Sequence, residues 1–99
     1  MARSHFDGVI EAVRYAPNGD ISMVRAYQWR GAVWSDIILL ERQALIEQLE
    51  KGKRYVTGTR KEYFGGVFKT GLPVRWSDNH VITEGKSAQR DLLAGVAVF

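Results

Sequence analysis

Five cations, Lys51, Lys53, Arg54, Arg60 and Lys61, fall within eleven positions, and Tyr55, Tyr63 and Phe64 are interleaved with them. Phosphate binding needs several cations along one groove, and base stacking needs aromatic faces beside them. The same residues also suit a solvated sheet edge, where Lys and Arg discourage pairing with another chain. A second group lies upstream. Alternation through Ile21–Trp29 sets Arg25, Tyr27 and Trp29 on one face of a strand, followed by Arg30, with Trp34 across the next turn. Val24 and Ala26, small and apolar, take the opposite face. If that face is inward, Met23, Arg25, Tyr27 and Trp29 make an exposed stacking platform. If Ile21, Met23, Tyr27 and Trp29 are inside instead, a bulge moves Arg25 out and the aromatics are core. Arginine beside aromatics is also the composition of a protein–protein hot spot. The candidate nucleic-acid-binding residues are Arg25, Tyr27, Trp29, Arg30, Trp34, Lys53, Arg54, Arg60 and Lys61, with RNA or single-stranded nucleic acid the expected ligand.

Other chemistries find few residues. His5 and His80 each have Ser and Asp nearby in sequence, but a catalytic triad is a matter of spatial geometry, and both groups read as a terminus and a turn. The chain has no Cys, so disulfides, thiolate metal sites and a Cys nucleophile are excluded. Two His without Cys give no expectation of a zinc site. Glu41, Glu47 and Glu50 form the polar side of a helix rather than an acid–base pair. Gly58, Gly65, Gly66 and Gly71 match neither the dinucleotide fingerprint nor the Walker pattern and fit bulges and tight turns. The expectation is a non-enzymatic protein without cofactor or metal.

The elements that must hold these residues are largely strands. Ala16-Pro17-Asn18-Gly19-Asp20 is a hairpin turn, because Pro presets φ and Asn-Gly accepts positive φ. Gly8–Tyr15 and Ile21–Trp29 flank it, rich in Val, Ile, Tyr and Trp. Arg30-Gly31 marks a second turn, and Ala32–Leu40 reads as a third strand. In Glu41–Lys51 the period changes: Leu45 and Leu49 are four apart among good helix formers, with Gly52 as the C-terminal stop. Lys53–Thr59, Tyr63–Thr70, Pro73–Trp76 and His80–Thr83 return to strand chemistry. Ser77-Asp78-Asn79 reads as a turn, Glu84–Gln89 as a polar loop and Arg90–Leu93 as one helical turn. The apolar Gly95–Phe99 needs burial, as a closing strand or against a protein partner or a second copy of the chain.

With 99 residues, one domain spanning 1–99 is expected, able to bury a real core. The order β-β-β-α-β-β suggests a mainly β fold: a small closed antiparallel barrel of five to six strands, OB-like, with one helix about Glu41–Lys51. The first hairpin, Gly8-Val9-Ile10-Glu11-Ala12-Val13-Arg14-Tyr15-Ala16-Pro17-Asn18 followed by Ile21-Ser22-Met23-Val24-Arg25, resembles the N-terminal OB domain of ribosomal large-subunit protein two. That family has a Gly, an apolar–Glu–x–apolar–x–Tyr strand, an Asp-Pro-Asn turn (Ala16 stands in place of the Asp) and an Ile-Ala-Leu-Val strand. The similarity continues weakly through Asp36–Leu39 and Gly52–Gly58, and it implies an RNA-contacting barrel. This chain lacks the family's second domain and long basic tails, and it adds the Glu41–Lys51 helix. The formal net charge of +3, from 14 basic and 11 acidic residues, supports only modest, salt-sensitive affinity. Ile37–Leu40 and the Gly-interrupted Leu92–Phe99 are far short of the ~20 residues that span a bilayer. Met1–Asp7 has no apolar run behind its single Arg, so no signal peptide is read there. A cytoplasmic protein with no membrane contact is the expectation.

Overall fold

A computed structural model describes residues 6–60, 68–77, 80–83, 91–93 and 95–99. The chain is mainly β with one helix: β1 (Gly8–Tyr15), β2 (Ile21–Gln28), β3 (Ile38–Glu41), α1 (Arg42–Glu50), β4 (Tyr55–Arg60), β5 (Phe68–Ser77), β6 (His80–Thr83) and the two-residue β7 (Ala97–Val98). The strands form one sheet in the order β3-β2-β1-β4-β5-β6, with β7 also on β1. Among the described residues no ladder joins β3 to β6, so the sheet is open. It is also mixed rather than antiparallel throughout, since β4 and β7 both run parallel to β1. Among the described residues no helix is long and apolar enough to cross a membrane.

The first turn forms as its residues dictate. Gly19 takes φ of 93°, its N–H donates to Ala16, and the Asn18 side-chain oxygen accepts from the Asp20 N–H at 3.0 Å. β1 is the central strand and is buried on both faces, with Val9, Ile10 and Val13 fully covered. A bulge at Glu11, between the pairs Ile10↔Ala26 and Ala12↔Arg25, divides it. Before the bulge β1 pairs with β4, and after it with β7. One extra residue bends a strand and lets it serve two neighbours on one edge. Gly8 is required for a different reason: a Cβ there would fall 2.3 Å from the Tyr55 ring, which fills the core beneath it.

The orientation of β2 follows from the core. Val24 and Ala26 are fully buried with Ile10, Val13, Leu45 and Tyr55, so Arg25 and Tyr27 point outward. A register shift leaves Ser22 unopposed, which also turns Ile21 into the core. α1 covers the inner face through Leu45 and Ile46. It ends in a Schellman motif, with Gly52 at φ 83° and hydrogen bonds from Gly52 to Leu49 and from Lys53 to Gln48. Glu41 and Lys51 are its caps rather than members of its first and last turns.

Two strands differ from expectation for readable reasons. Ala32–Leu40 is not one strand. The Ser35 hydroxyl takes the Gln28 N–H at 2.9 Å in place of a ladder partner, so β3 begins only at Ile38. Thr70 and Pro73, read from sequence as the end of one strand and the start of the next, lie in a single strand: β5 runs through Gly71 and Pro73 without a break, and Tyr63 to Val67 lie outside the described residues. Thr57 bulges into the space a Gly71 side chain would need, and its hydroxyl accepts the Leu72 N–H at 3.0 Å. Leu92 bridges Ile82 in a parallel pair, so extended chain replaces the helical turn read over Arg90–Leu93 where it is described. Gly65, Gly66, Asp78, Asn79 and Glu84–Gln89 lie outside the described residues.

Asp91 ties these parts together. It is 1% exposed, and its carboxylate accepts the Ile21 N–H of β2 at 2.7 Å, the Val81 N–H of β6 at 2.8 Å and Arg42 at the start of α1 at 2.8 Å. Burial alone raises its pKa, but the hydrogen bonds from Arg42, Ile21 and Val81 and the Arg42 charge outweigh it and hold the pKa below the ordinary value. A folded pKa below the unfolded one contributes stability that is present above the unfolded value, about 4, and is lost as pH falls through the folded one. Asp91→Asn should therefore cost about 3–5 kcal/mol at pH 7 in urea unfolding. The variant should also lose less stability than the parent chain between pH 4 and pH 2.

Candidate functional site

The outward face of β2 carries the aromatic residues, and most of them touch. Trp29 and Trp34 form an isolated bridge with their rings 5.6 Å apart. Trp34 lies 4.7 Å from Phe68 and 5.6 Å from Phe6, and Tyr27 lies 5.3 Å from Phe68. Arg60 closes the group, 4.8 Å from the Tyr27 centroid and 5.4 Å from Phe68. All six residues are half-buried. Tyr27 donates its hydroxyl hydrogen to the bulge residue Glu11 at 2.8 Å. Burial and the Glu11 carboxylate raise its pKa, against the pull of Arg60. Tilted and edge-on ring pairs at these distances contribute about 0.5–1.5 kcal/mol each beyond burial. The cluster is thus a second, smaller core on the outer face, with Trp29 at its rim.

Beyond that rim the chain assembles a polar cleft of about 180 Å³, in which Trp29, Arg30 and Lys53 stand with Gln28, Gln48 and Tyr55. Three local devices position it. The Schellman turn delivers Lys53 directly from the end of α1. The Arg30 N–H to Val33 hydrogen bond, with Gly31 at φ 92°, turns the chain after β2. Asp7 fixes the opposite wall, its carboxylate accepting the Arg54 N–H at 2.9 Å while its own N–H donates to the Arg54 carbonyl. Gln28 donates to the Tyr55 hydroxyl at 2.8 Å, so the core tyrosine anchors the cleft floor. Arg30, Lys53 and Arg54 are exposed and have no ion pair among the described residues.

The nine residues expected from sequence therefore separate. Trp29, Arg30 and Lys53 line one cleft, with Arg54 adjoining through Asp7. Tyr27, Trp34 and Arg60 belong to the aromatic cluster, and Arg60 is held over two rings rather than extended to solvent. Arg25 lies further along β2, 4.2 Å from the Phe99 ring. Lys61, Tyr63 and Phe64 are outside the described residues. Sequence reasoning missed Phe6 and Phe68, which stand far from the cluster in sequence, and the Arg14–Phe99 contact, which depends on β7.

One titratable group also lies apart. Asp20, His80 and Asp91 bring ligand-type atoms within 4.8 Å of one another. Both Asp91 oxygens, however, are already engaged by two backbone N–H groups and by the Arg42 guanidinium. A cation there would have to displace a guanidinium, so the group reads as a structural ion-pair network.

The two kinds of residue on this face separate by stability. Trp34→Ala, which removes three ring contacts, should cost about 2–3 kcal/mol. Lys53→Ala and Arg30→Ala should each stay within about 0.5 kcal/mol. Denaturant midpoints of the three variants check this.

No protein-family model, curated protein or solved structure matches this chain.

Proposed function

We propose that the chain is a non-enzymatic nucleic-acid-binding module that takes RNA or single-stranded nucleic acid at the Trp29 cleft. The observation that carries this reading is the meeting of an indole, two cations and two side-chain amides in a single polar concavity that Asp7 and Tyr55 also line: Trp29, Arg30, Lys53, Gln28 and Gln48. An indole at a rim offers a face to a base, unpaired cations attract phosphate, and amides can read base edges. Arg54 extends the positive edge, and the Tyr27–Trp34–Phe68 cluster stiffens the indole from behind. The three strands before the helix and the bulged central strand support an OB-like barrel; the four strands after the helix and the parallel pairing of β4 and β7 with β1 depart from a five-stranded, wholly antiparallel one. The likeness of Gly8–Arg25 to the ribosomal protein domain agrees with an RNA ligand.

A second reading, a protein-interaction or assembly surface, draws on the exposed apolar residues Leu39 and Val98. The C-terminal segment supports it less than its composition suggested. Phe99 donates its N–H to Val13, and Ala97–Val98 is part of the sheet, so this apolar end is bound within the chain itself. A cytoplasmic location remains part of the proposal, resting on the absence of cysteine.

A fluorescently labelled 20-nucleotide oligo(U) and its DNA counterpart, titrated between 20 and 200 mM salt, test the first reading. Three phosphate contacts, through Arg30, Lys53 and Arg54, give a slope of log K against log salt of about −2. Lys53→Ala should reduce that slope by about 0.7, and binding should quench Trp29 emission, a change lost in Trp29→Phe. An absence of saturable binding at 20 mM salt would remove this reading and leave the protein surface.

A further inference from the structure

The chain has two asparagines, Asn18 and Asn79, and only Asn18 is followed by glycine. That pair is reactive, because the glycine nitrogen has no Cβ beside it and can approach and attack the carbon of the preceding side-chain amide. Pro17 and Asn18 are exposed at the tip of the β1–β2 turn, so water reaches them. The turn, however, engages every group the reaction needs. The Gly19 N–H, which carries the nucleophilic nitrogen, donates to the Ala16 carbonyl at 2.9 Å. The Asn18 amide is held at both of its polar atoms: Oδ1 accepts the Asp20 N–H at 3.0 Å, and Nδ2 donates to the Asp20 carboxylate at 3.3 Å. Ala16 donates its own N–H to the Asp20 carbonyl at 2.7 Å and closes the loop, while Pro17 fixes one torsion within it.

We propose that Asn18 is a site of self-modification: when the turn opens, the Gly19 nitrogen converts the Asn18 amide to a carboxylate, and the closed turn, with Asp20 as its clasp, holds the reaction back. The Gly19 nitrogen forms a bond to Asn18 Cγ, the Cγ–Nδ2 bond breaks, and ammonia leaves with the proton of the Gly19 amide, giving a cyclic imide. Water then opens the ring. Addition at Cγ restores the main chain and leaves aspartate, whereas addition at the main-chain carbonyl leaves isoaspartate, in which the chain runs through the side chain. Either product lacks the Asn18 donor and sets a new carboxylate against that of Asp20, and isoaspartate also lengthens the turn by one atom. The next residue, Ile21, gives its N–H to Asp91 at 2.7 Å. A turn that no longer closes therefore pulls on the buried charge that also holds β6 and α1. The proposal does not depend on nucleic-acid binding.

The full chain, folded or unfolded in urea, is incubated at 37 °C and neutral pH, and conversion is read as the mass gain of an amide-to-acid change in the tryptic peptide Tyr15 to Arg25. The unfolded chain should convert at Asn18, and the folded chain at least tenfold more slowly, because its rate follows the fraction of open turn. Asp20→Ala, which removes the clasp, should raise the folded-state rate at least threefold. Pro17→Gly, which frees an exposed torsion and removes no hydrogen bond, should do the same. Trp34→Ala weakens the fold at the other end of β2 and should leave the rate unchanged. Circular dichroism certifies that the three variants are folded. The converted chain, separated by ion exchange, should unfold at a lower urea concentration than the parent. Folded-state conversion as fast as that of the unfolded chain would overturn the proposal, as would parental rates in both Asp20→Ala and Pro17→Gly. Trp34→Ala accelerating as much as Pro17→Gly would also overturn it, since the reaction would then run through global unfolding and the turn would not be its gate. An unchanged unfolding midpoint in the converted chain would remove the link to Asp91.

Discussion

The buried carboxylate of Asp91 is the constraint on which the rest of the structure depends. It is contributed by a segment that makes one isolated bridge of its own, yet it satisfies donors on β2, on β6 and on the first residue of α1. A charge with 1% exposure is tolerable only when its lone pairs are filled, and here two backbone N–H groups and a guanidinium fill them. The start of β2 and the edge strand β6 are four places apart in the sheet order. A single carboxylate can reach both only because the sheet curls around the core. The curvature, the seat of the helix and the buried charge are therefore one solution, each requiring the other two.

Curvature in turn explains why the outer face is furnished as it is. β1 is bulged at Glu11 and passes from β4 to β7, and the single helix packs on the face of β2 that carries Val24 and Ala26, not on the opposite one. Tyr27, Trp29, Trp34, Phe6 and Phe68 cover part of it by packing on one another, with Arg60 laid across two of the rings. Rings used in this way exclude water from the sheet, and their faces are largely taken. Trp29 alone of these rings also lines the polar cleft, with Arg30 and Lys53.

The hairpin, the helix and the return to strands were legible because each has a local cause: Asn18-Gly19 for the turn, the four-residue spacing of Leu45 and Leu49, and the left-handed Gly52. The two faces of β2 were also legible, but not which one was inward, since Ile21 on the odd-numbered side is apolar and is in fact buried. Only the unopposed Ser22 reconciles Ile21 with Val24. The breaks and joins that depend on side chains replacing backbone partners were not legible. Ser35 shortens β3 and Thr57 lets β5 run through Gly71, and neither residue type announces that role in sequence. Asp91 was invisible for a related reason: its partners are 70, 49 and 10 positions away, and nothing near it in sequence distinguishes it from a surface carboxylate. Among the candidate site residues, the proximity of Trp29, Arg30 and Lys53 follows from where α1 ends, a tertiary fact. The reassignment of Arg60 from solvent to the aromatic cluster depends on Phe68.

Four of the eleven acidic residues are engaged by hydrogen-bond donors within the fold. Asp7 holds the Arg54 N–H, Glu11 the Tyr27 hydroxyl, Asp20 the Asn18 amide, and Asp91 two strand N–H groups together with Arg42. Arg25, Arg30, Lys53 and Arg54 are left without ion pairs among the described residues, Arg25 beside Phe99 on the outward face of β2 and the other three past the far end of the strand, near Gln48 of α1 and the core residue Tyr55. At one end they surround a polar cleft rimmed by an indole, at the other an aliphatic groove. The sign of charge is the same in both, and the walls differ: amides and an indole at the first, Ile37, Leu39 and Met23 at the second.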